Sequence, residues 1–520
     1  MKGTVRITNR SFFLMSGIYL ILPIVIFFFG YLKPLVSLPC IFLLIGTFIW
    51  ALRDCGKNAD QIPLKDDFEM PLKFLIIACV YAVIVTIITG VGEYVWTAYD
   101  HAFRRATLND LISYRWPVIY HPDTQTIPDV ILQMDTSRPQ GFVYYFTYWM
   151  VPAVVGKLAG FTAANITLIL WNSMGIVLIL TGMSMYLKRA SYASMFVFLC
   201  FSGLDVIPYT INSFTFQFET QWMWVDGCVP HMSYISNFNN LENVYHQAIP
   251  CYLIVILLML MKNNRNIGLI ASLIFAYSPW TTFGMFIPAG VQLLRKDNRS
   301  YDMKRNLKNI FGFGNIIAPL IMLFIYGAFY YSKSDSTAER GFVVTYYGSF
   351  GWYLLAYVIL IAVEVLPAAG LVFTSRKNDP LFRGAIVLLL LCPIYKISDS
   401  NDLAMRASMP GLFILAVFLA AKISDYAVED EKLARKGKKR KGFKAHAKLA
   451  VLSLILVGMA YVTAYMLSVI IPAFFYNDLG SAHDIESFGN QSTPYYTQKI
   501  SDQFFVPDPD DTFFFKYLAK

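Results

Sequence analysis

Long apolar runs separated by short polar stretches fill most of this chain, and they constrain its fold more than any other feature. A helix of ~20 apolar residues crosses the hydrocarbon core of a bilayer, where every backbone polar group must be bonded internally. Hydrophobic residues make up 56% of the sequence and charged residues only 15%, against roughly 25% charged in soluble domains. The sequence therefore predicts an all-α polytopic membrane protein and excludes a soluble enzyme with a small anchor.

Counting runs of this length predicts about thirteen transmembrane helices. They lie near residues 12–29, 34–52, 72–91, 163–187, 191–208, 247–262, 267–277, 280–294, 308–330, 350–373, 384–398, 410–424 and 448–472. The seventh and eighth are short and meet at Ser278-Pro279-Trp280, which predicts a broken hairpin whose turn is shielded inside the bundle. The first run follows basic residues as in a signal peptide, but no small-residue cleavage site follows, so a retained anchor is expected.

Clusters of Lys and Arg indicate how the helices are threaded, because short cytoplasmic loops are enriched in both residues. The clusters, including the basic stretch from Lys432 to Lys448, all fall on one side if residues 142–160 do not cross the membrane. Pro152 and the Tyr and Trp content favour a helix in the outer interface for that segment. We therefore expect a multi-pass cell-membrane protein with a cytoplasmic N-terminus and an extracytoplasmic C-terminus.

This threading divides the chain into three parts and places several segments on the outer face. The parts are two N-terminal helices with a cytoplasmic loop (1–71), a transmembrane core (72–474) and an external tail (475–520). Outer segments are expected at 92–162, 209–246, 331–349 and 399–409, with interfacial helices in the first of them and the tail as a small cap. Chemistry on the outer face should draw on these segments.

Several classes of function are disfavoured by what the sequence lacks. The formal net charge of +9 sits between the apolar runs, where topology explains it, so no nucleic-acid partner is expected. The seven cysteines show no paired spacing that would indicate a disulfide framework or a zinc site. No glycine-rich phosphate loop or nucleophile elbow is present, so any donor substrate must be reached from the membrane or from outside.

Charged residues cluster after the third predicted span, where Glu93 and Asp100 precede Arg104 and Arg105. The spacing places acid and cations on neighbouring turns of a helix. A carboxylate there could activate a hydroxyl while the arginines face a phosphate. An Asp100–Arg104 ion pair within one helix explains the same spacing equally well.

A second charged group lies at the outer end of the eleventh predicted span, where Asp402 and Arg406 enter an apolar helix. Charges at that depth are costly unless they are paired or solvated. Arg406 could grip a phosphate with two parallel hydrogen bonds. A salt bridge to Asp402, four residues earlier, is at least as well supported by the spacing.

The loop 209–246 contains acids, His and Trp but no Lys or Arg. Aromatic rings and carboxylates suit a carbohydrate, because sugar faces stack on rings and hydroxyls donate to acids. Trp and Tyr are also common membrane-interface anchors, which explains the rings at least as well. His246 and Asp205 are expected to line the same cavity. His231 and His246 lack a metal-binding spacing, so no metal or cofactor is predicted and a divalent ion remains possible but unsupported.

These strings resemble a known family. The acidic outer loop with Glu93 and Asp100, the aromatic run 144–149, and the segments 99–118 and 401–410 are similar to the GT-C superfamily of integral-membrane glycosyltransferases, especially poorly characterised bacterial members. The two spans within residues 12–52 precede the part that matches the family's usual first helix. The resemblance covers the architecture from about residue 72 onward.

The resemblance implies a polyprenyl-phosphate-linked sugar as donor, a reaction at the outer face, and an acid of the first large outer loop as base. Asp100 matches that base best, and Glu93 is the alternative. The expected function is an inverting transfer of the sugar to a cell-surface glycan, polymer or glycolipid, with Arg104, Arg105 and Arg406 holding the leaving phosphate. A non-enzymatic flippase for lipid-linked saccharides and a polysaccharide polymerase remain alternatives.

Overall fold

The computed structural model describes most of the chain. The described residues are 3–54, 67–98, 100–121, 138–207, 229–261, 264–294, 303–333, 339–398, 401–436, 443–476, 480, 487–488 and 504–520. Two of the acids and both tryptophans of the predicted loop 209–246 lie outside them: Glu219, Asp226, Trp222 and Trp224.

Helices dominate the described residues, and polar caps fix where several of them begin. Ser236, Ser278 and Asn401 each accept a hydrogen bond from a backbone N–H of the first turn that follows, which satisfies a group the helix itself cannot. The helices are α1 (Asn9–Tyr31), α2 (Pro34–Asp54), α3 (Leu72–Ile88), α4 (Asp100–Ser113), α5 (Met150–Ala159), α6 (Phe161–Leu187), α7 (Tyr192–Cys200), α8 (Asn237–Leu260), α9 (Ile267–Ser272), α10 (Pro279–Leu293), α11 (Met303–Ile310), α12 (Phe313–Tyr331), α13 (Phe350–Leu360), α14 (Leu366–Arg376), α15 (Pro380–Leu391), α16 (Asp402–Ala407), α17 (Met409–Arg435) and α18 (Phe443–Phe475).

Short strands pair at the helix ends. They are β1 (Thr4–Ile7), β2 (Phe68–Pro71), β3 (Ile119–Tyr120), β4 (Gln140–Phe142), β5 (Arg340–Phe342), β6 (Tyr395–Ile397) and β7 (Phe505–Pro507). All pairs are antiparallel: β1 with β2, β5 with β6, and β4 between β3 and β7. The last of these ties the end of the chain to the segment that follows α4.

Eight helices in the described part of the chain are long and apolar enough to cross a bilayer, consistent with a multi-pass membrane protein. They correspond to α1, α2, α6, α8, α12, the run from α13 to α14, the run from α16 to α17, and α18. Helix α8 is buried along its whole length and packs against α6, α17 and α7, so it forms the centre of the bundle. The prediction of an all-α polytopic protein is confirmed at this level.

The other five predicted spans correspond to the shorter helices α3, α7, α9, α10 and α15. The break predicted at Ser278-Pro279 is present: a 3₁₀ turn ends at Ala276, and α10 begins at Pro279. Ser278 in this turn is fully buried.

Two predicted spans extend well past the end of the α-helix that forms. The span drawn over 384–398 ends its α-helix at Leu391, because Pro393 follows and residues 395–397 pair with β5 instead. The span drawn over 191–208 ends its helix at Cys200. The Leu204 N–H then donates to the Val363 carbonyl 3.0 Å away.

The segment 142–160 contains a 3₁₀ turn (Thr147–Trp149) and the ten-residue helix α5. A helix of that length extends about 15 Å, half of the ~30 Å hydrocarbon core. Helices α7 and α9 are shorter still, so helix length alone does not decide which segments cross, and the non-crossing of residues 142–160 stays a prediction. The described part of the tail packs on the same region: β7 pairs with β4, and the terminal residue Lys520 donates from its backbone N–H to the Tyr31 carbonyl.

Candidate functional site

The turn after α3 and the start of α4 hold the first group of predicted site residues. Glu93 adopts a left-handed backbone conformation (φ 63°) and pairs with Arg105. Burial raises the pKa of Glu93, and the nearby Arg105 charge opposes this rise. A cavity of about 10 Å³, lined by both residues, His101, Arg104 and other side chains, has room for roughly one water molecule.

Asp100 and Arg104 form the intrahelical ion pair that the spacing allowed, with 2.9 Å between Arg104 Nη2 and Asp100 Oδ2. The arginine side chain is only 6% exposed, whereas the aspartate side chain is 43% exposed. Arg104 Nη1 also donates to the Glu242 carbonyl at 3.3 Å. That carbonyl is available because α8 has non-helical dihedrals at Val244, which interrupt its internal ladder. The pair is therefore anchored at the arginine and open at the carboxylate.

Asp402 and Arg406 are positioned by a buried cap. Asn401 accepts the Ala404 N–H and donates to the His231 carbonyl at 2.9 Å. The alternative that the spacing allowed, a salt bridge between Asp402 and Arg406, is absent, and neither side chain makes an ion pair with any residue the structure describes. Arg406 is half-buried, so it is a cation near the bundle interior that is available to an anion.

Tyr145 is where the two charged groups meet. The charges of Asp100, Asp402 and Arg406 all act on its hydroxyl, and burial raises the pKa of Tyr145 to about 12. Its neighbour Tyr144 lies in ring contact at 3.8 Å between centroids and is affected by the charges of Arg104 and Asp100. Segments about 300 residues apart in sequence therefore converge around one pair of tyrosines.

Three hydrogen bonds to separate helices hold that tyrosine pair in place. Thr147 donates to the Tyr326 hydroxyl, Tyr148 to Asn172 and Trp149 to the Tyr245 hydroxyl, at 2.9 to 3.0 Å. The 3₁₀ turn that carries these donors directly follows Phe146. The aromatic run is thus a rigid part of the site and not only an interfacial anchor.

His246 lies in the same cluster. Its ring stacks on Tyr145, with 5.7 Å between centroids and an interplanar angle of 11°, and lies 4.5 Å from the Trp149 ring. The charges of Arg104 and Arg406 both act on its imidazole.

Asp205 contacts a different partner. It accepts a hydrogen bond from Ser202 at 2.6 Å and is hydrogen-bonded to Glu364, and both acids are buried. Glu364 lies in a π-helical stretch (Ile361–Val365) between α13 and α14. A Cβ added to Gly203 would lie 2.8 Å from the Glu364 Cα, so only glycine permits this approach. Among the described residues, no hydrogen bond joins Asp205 to His246.

The structure thus brings together five of the predicted side chains and separates three. The charges of Asp100, Asp402 and Arg406 act on Tyr145, whose ring stacks on His246, and the charge of Arg104 acts on Tyr144 and His246. Glu93 and Arg105 form the adjoining pair at the small cavity, and Asp205 joins Glu364. Among the described residues, no group of three or more His, Cys, Asp or Glu could hold a metal ion.

Sequence reasoning did not assign site roles to Tyr144, Tyr145 or the Gln247–Ser278 pair. The aromatic run was a visible signal, but it was interpreted as a membrane-surface segment. The sequence does not indicate a role for Gln247, because a single amide side chain in an apolar helix matches no motif or spacing. Its hydrogen bond from Ser278 at 2.6 Å appears only when α8 meets the start of α10.

Comparison of this chain with protein-family models, curated proteins and solved structures finds no match.

Proposed function

We propose that this chain is a GT-C-type membrane glycosyltransferase. It moves a sugar from a polyprenyl phosphate to a hydroxyl of a cell-surface glycan, polymer or glycolipid at the outer face. The observation that carries the proposal is the convergence of the Asp100–Arg104 pair with Asp402 and Arg406 around Tyr145. In this proposal the five shorter helices complete about thirteen crossings.

The chemistry requires a base and a cationic clamp. The Asp100 carboxylate takes the proton of the acceptor hydroxyl while that oxygen attacks the anomeric carbon. The bond from the anomeric carbon to the phosphate oxygen breaks, and the leaving polyprenyl phosphate takes up the bonding electron pair. Arg406 stabilises the charge on the leaving phosphate, and attack from the opposite face inverts the anomeric configuration.

Exposure supports Asp100 over Glu93 as the base. The Asp100 carboxylate is 43% exposed and held by Arg104 on one side, so an acceptor can reach it. Glu93 is 12% exposed and paired with Arg105 beside a cavity of about 10 Å³, which is too small for a sugar. Arg105 accordingly holds Glu93, and the phosphate falls to Arg406 and Arg104.

A carrier of lipid-linked saccharides is the second candidate, and one observation favours it. Buried acids inside transmembrane helices are costly and mark transport paths. Glu364 is such an acid, it lies in a π-helical stretch, and it bonds to Asp205. Helical π-bulges occur frequently at functional sites.

One experiment separates the two candidates. Membranes containing the chain, and matched membranes without it, are incubated with radiolabelled polyprenyl-phosphate sugars, and label is followed into the acceptor fraction. A glycosyltransferase gives chain-dependent transfer and free polyprenyl phosphate. Movement of an intact lipid-linked saccharide across proteoliposomes, without transfer from any donor tested, would replace the transferase with the carrier.

A further inference from the structure

One nitrogen of His246 is buried and has no partner. The residue is fully buried, and its Nδ1 makes no hydrogen bond with any residue in the part of the chain that the structure describes. Leaving a buried polar atom unpaired costs about 1–3 kcal/mol. Such an atom beside two arginine charges is therefore expected to meet a ligand.

A hydrogen-bond chain determines which nitrogen of His246 carries the proton. Ser278 Oγ accepts the Thr281 N–H at 3.1 Å, so its own hydrogen is free to donate to Gln247 Oε1, 2.6 Å away. The Gln247 amide nitrogen must then face His246 Nε2, at 3.3 Å. An amide NH₂ is a donor, so Nε2 is the acceptor and the proton lies on Nδ1.

The ring position places the imidazole next to the charged groups of the site. The imidazole stacks on Tyr145, the ring around which the charges of Asp100, Asp402 and Arg406 meet. Arg406 has no ion pair among the described residues, so its guanidinium is available to an anion in the same cluster as a neutral N–H donor. A phosphate oxygen satisfies both groups, since it accepts from an N–H and carries negative charge.

We propose that His246, as the neutral Nδ1–H tautomer set by Ser278 and Gln247, donates to a phosphate oxygen of the ligand beside Arg406. This inference rests on the proposed function for the identity of the ligand. It assigns His246 a binding atom, and it makes Gln247 a positioning residue that acts through the imidazole.

The tautomer is tested without any substrate. Protein labelled with ¹⁵N-histidine is compared with its His246→Leu variant, which identifies the His246 signals. The inference expects a protonated Nδ1 and an unprotonated Nε2, and Gln247→Met should mix the two tautomers. A protonated Nε2 in the wild-type protein would overturn the assignment.

Binding is tested with two probes, because a phosphate group could come from a lipid or from solution. Purified full-length protein in detergent is titrated with polyprenyl phosphate and, separately, with inorganic phosphate. His246→Asn keeps an N–H near the Nδ1 position, while His246→Leu keeps much of the volume without a donor. We expect His246→Leu to weaken binding about 10- to 100-fold, as for a hydrogen bond to a charged group, and His246→Asn to recover most of that loss.

The outcomes separate the two claims. If His246→Leu binds as tightly as the wild type, or His246→Asn binds no better than His246→Leu, the donor role is wrong while the proposed function stands. If the wild-type protein binds neither probe, the lipid-phosphate donor and this inference both fail. If His246→Leu does not accumulate, Gln247→Met carries the same test, with a weakening of about three- to tenfold expected and unchanged binding overturning the inference.

Discussion

Asp110 joins the tail to α4, and its replacement should release the tail. The buried carboxylate accepts hydrogen bonds from the Tyr120 hydroxyl at 2.7 Å, the Phe488 N–H at 3.0 Å and the Ser487 hydroxyl. Asp110→Ala leaves the Tyr120 and Phe488 donors unpaired, at about 1–3 kcal/mol each, so we expect a loss of about 2–6 kcal/mol. Asp110→Asn keeps an acceptor for both donors and can donate to Ser487, so it should cost less than ~1 kcal/mol.

Asp110 should also make the stability of the tail contact depend on pH, and the burial of its carboxyl group determines the direction of that dependence. Burial raises the pKa of Asp110 from 3.8 to about 7, against the effect of its three donors. The folded state therefore binds a proton that the unfolded state releases, so this stability is fully present below pH ~4 and is lost as pH rises through ~7. A shift of about three units corresponds to about 4 kcal/mol. Asp110→Asn does not titrate and should lack this contribution.

Cleavage of the tail by trypsin measures both effects in purified protein. When opening is fast, the cleavage rate follows the population of the released tail, and the part of this stability lost between pH 5 and pH 8, about 3 kcal/mol, corresponds to about a hundredfold. The ratio of the wild-type rate to the Asp110→Asn rate should rise between pH 5 and pH 8. A constant ratio, or an Asp110→Ala tail as protected as the Asp110→Asn tail, would refute the reasoning.

Three further predictions follow from the site and the threading. Arg406→Ala should weaken donor affinity at least as much as it lowers turnover, measured as binding and as initial rates, and a turnover loss at unchanged affinity would contradict a phosphate contact. Impermeant reagents on intact cells should label Gln491→Cys but not Lys438→Cys, two positions outside the described residues, and the reverse pattern would invert the topology. Glu364→Leu should lower the free energy of unfolding by about 1–3 kcal/mol because it leaves the Asp205 carboxyl without this partner. The control is Glu364→Gln, which keeps the hydrogen bond to Asp205. Equal melting temperatures for the Leu and Gln variants would refute this prediction.

Local patterns in the sequence were sufficient for some of these features. The i, i+4 spacing of Asp100 and Arg104 allowed their ion pair, and Pro279 after Ser278 marked the helix break. Both depend on residues within a few positions of one another. The class of the protein followed from the length of the apolar runs, since a bilayer imposes that length directly.

Contacts between segments that are far apart in the sequence could not be predicted from such local patterns. The Asp205–Glu364 bond depends on the close approach that Gly203 permits, and neither acid gives a local signal of the other. The i, i+4 spacing of Asp402 and Arg406 equally allowed a salt bridge, yet none forms. Spacing fixes which side chains can meet on a helix, whereas tertiary neighbours determine which of them do.

The most direct test of the proposed function is the turnover of Asp100→Asn with a polyprenyl-phosphate sugar donor. Asparagine keeps the size of the side chain but cannot take the acceptor's proton, so turnover should fall by ~10² to 10⁴. Donor binding should survive. Asp425→Asn, which breaks another exposed Asp–Arg pair, is the matched control and should transfer normally. Near-normal transfer by a well-expressed Asp100→Asn protein would contradict the assignment and make Glu93 the next residue to test.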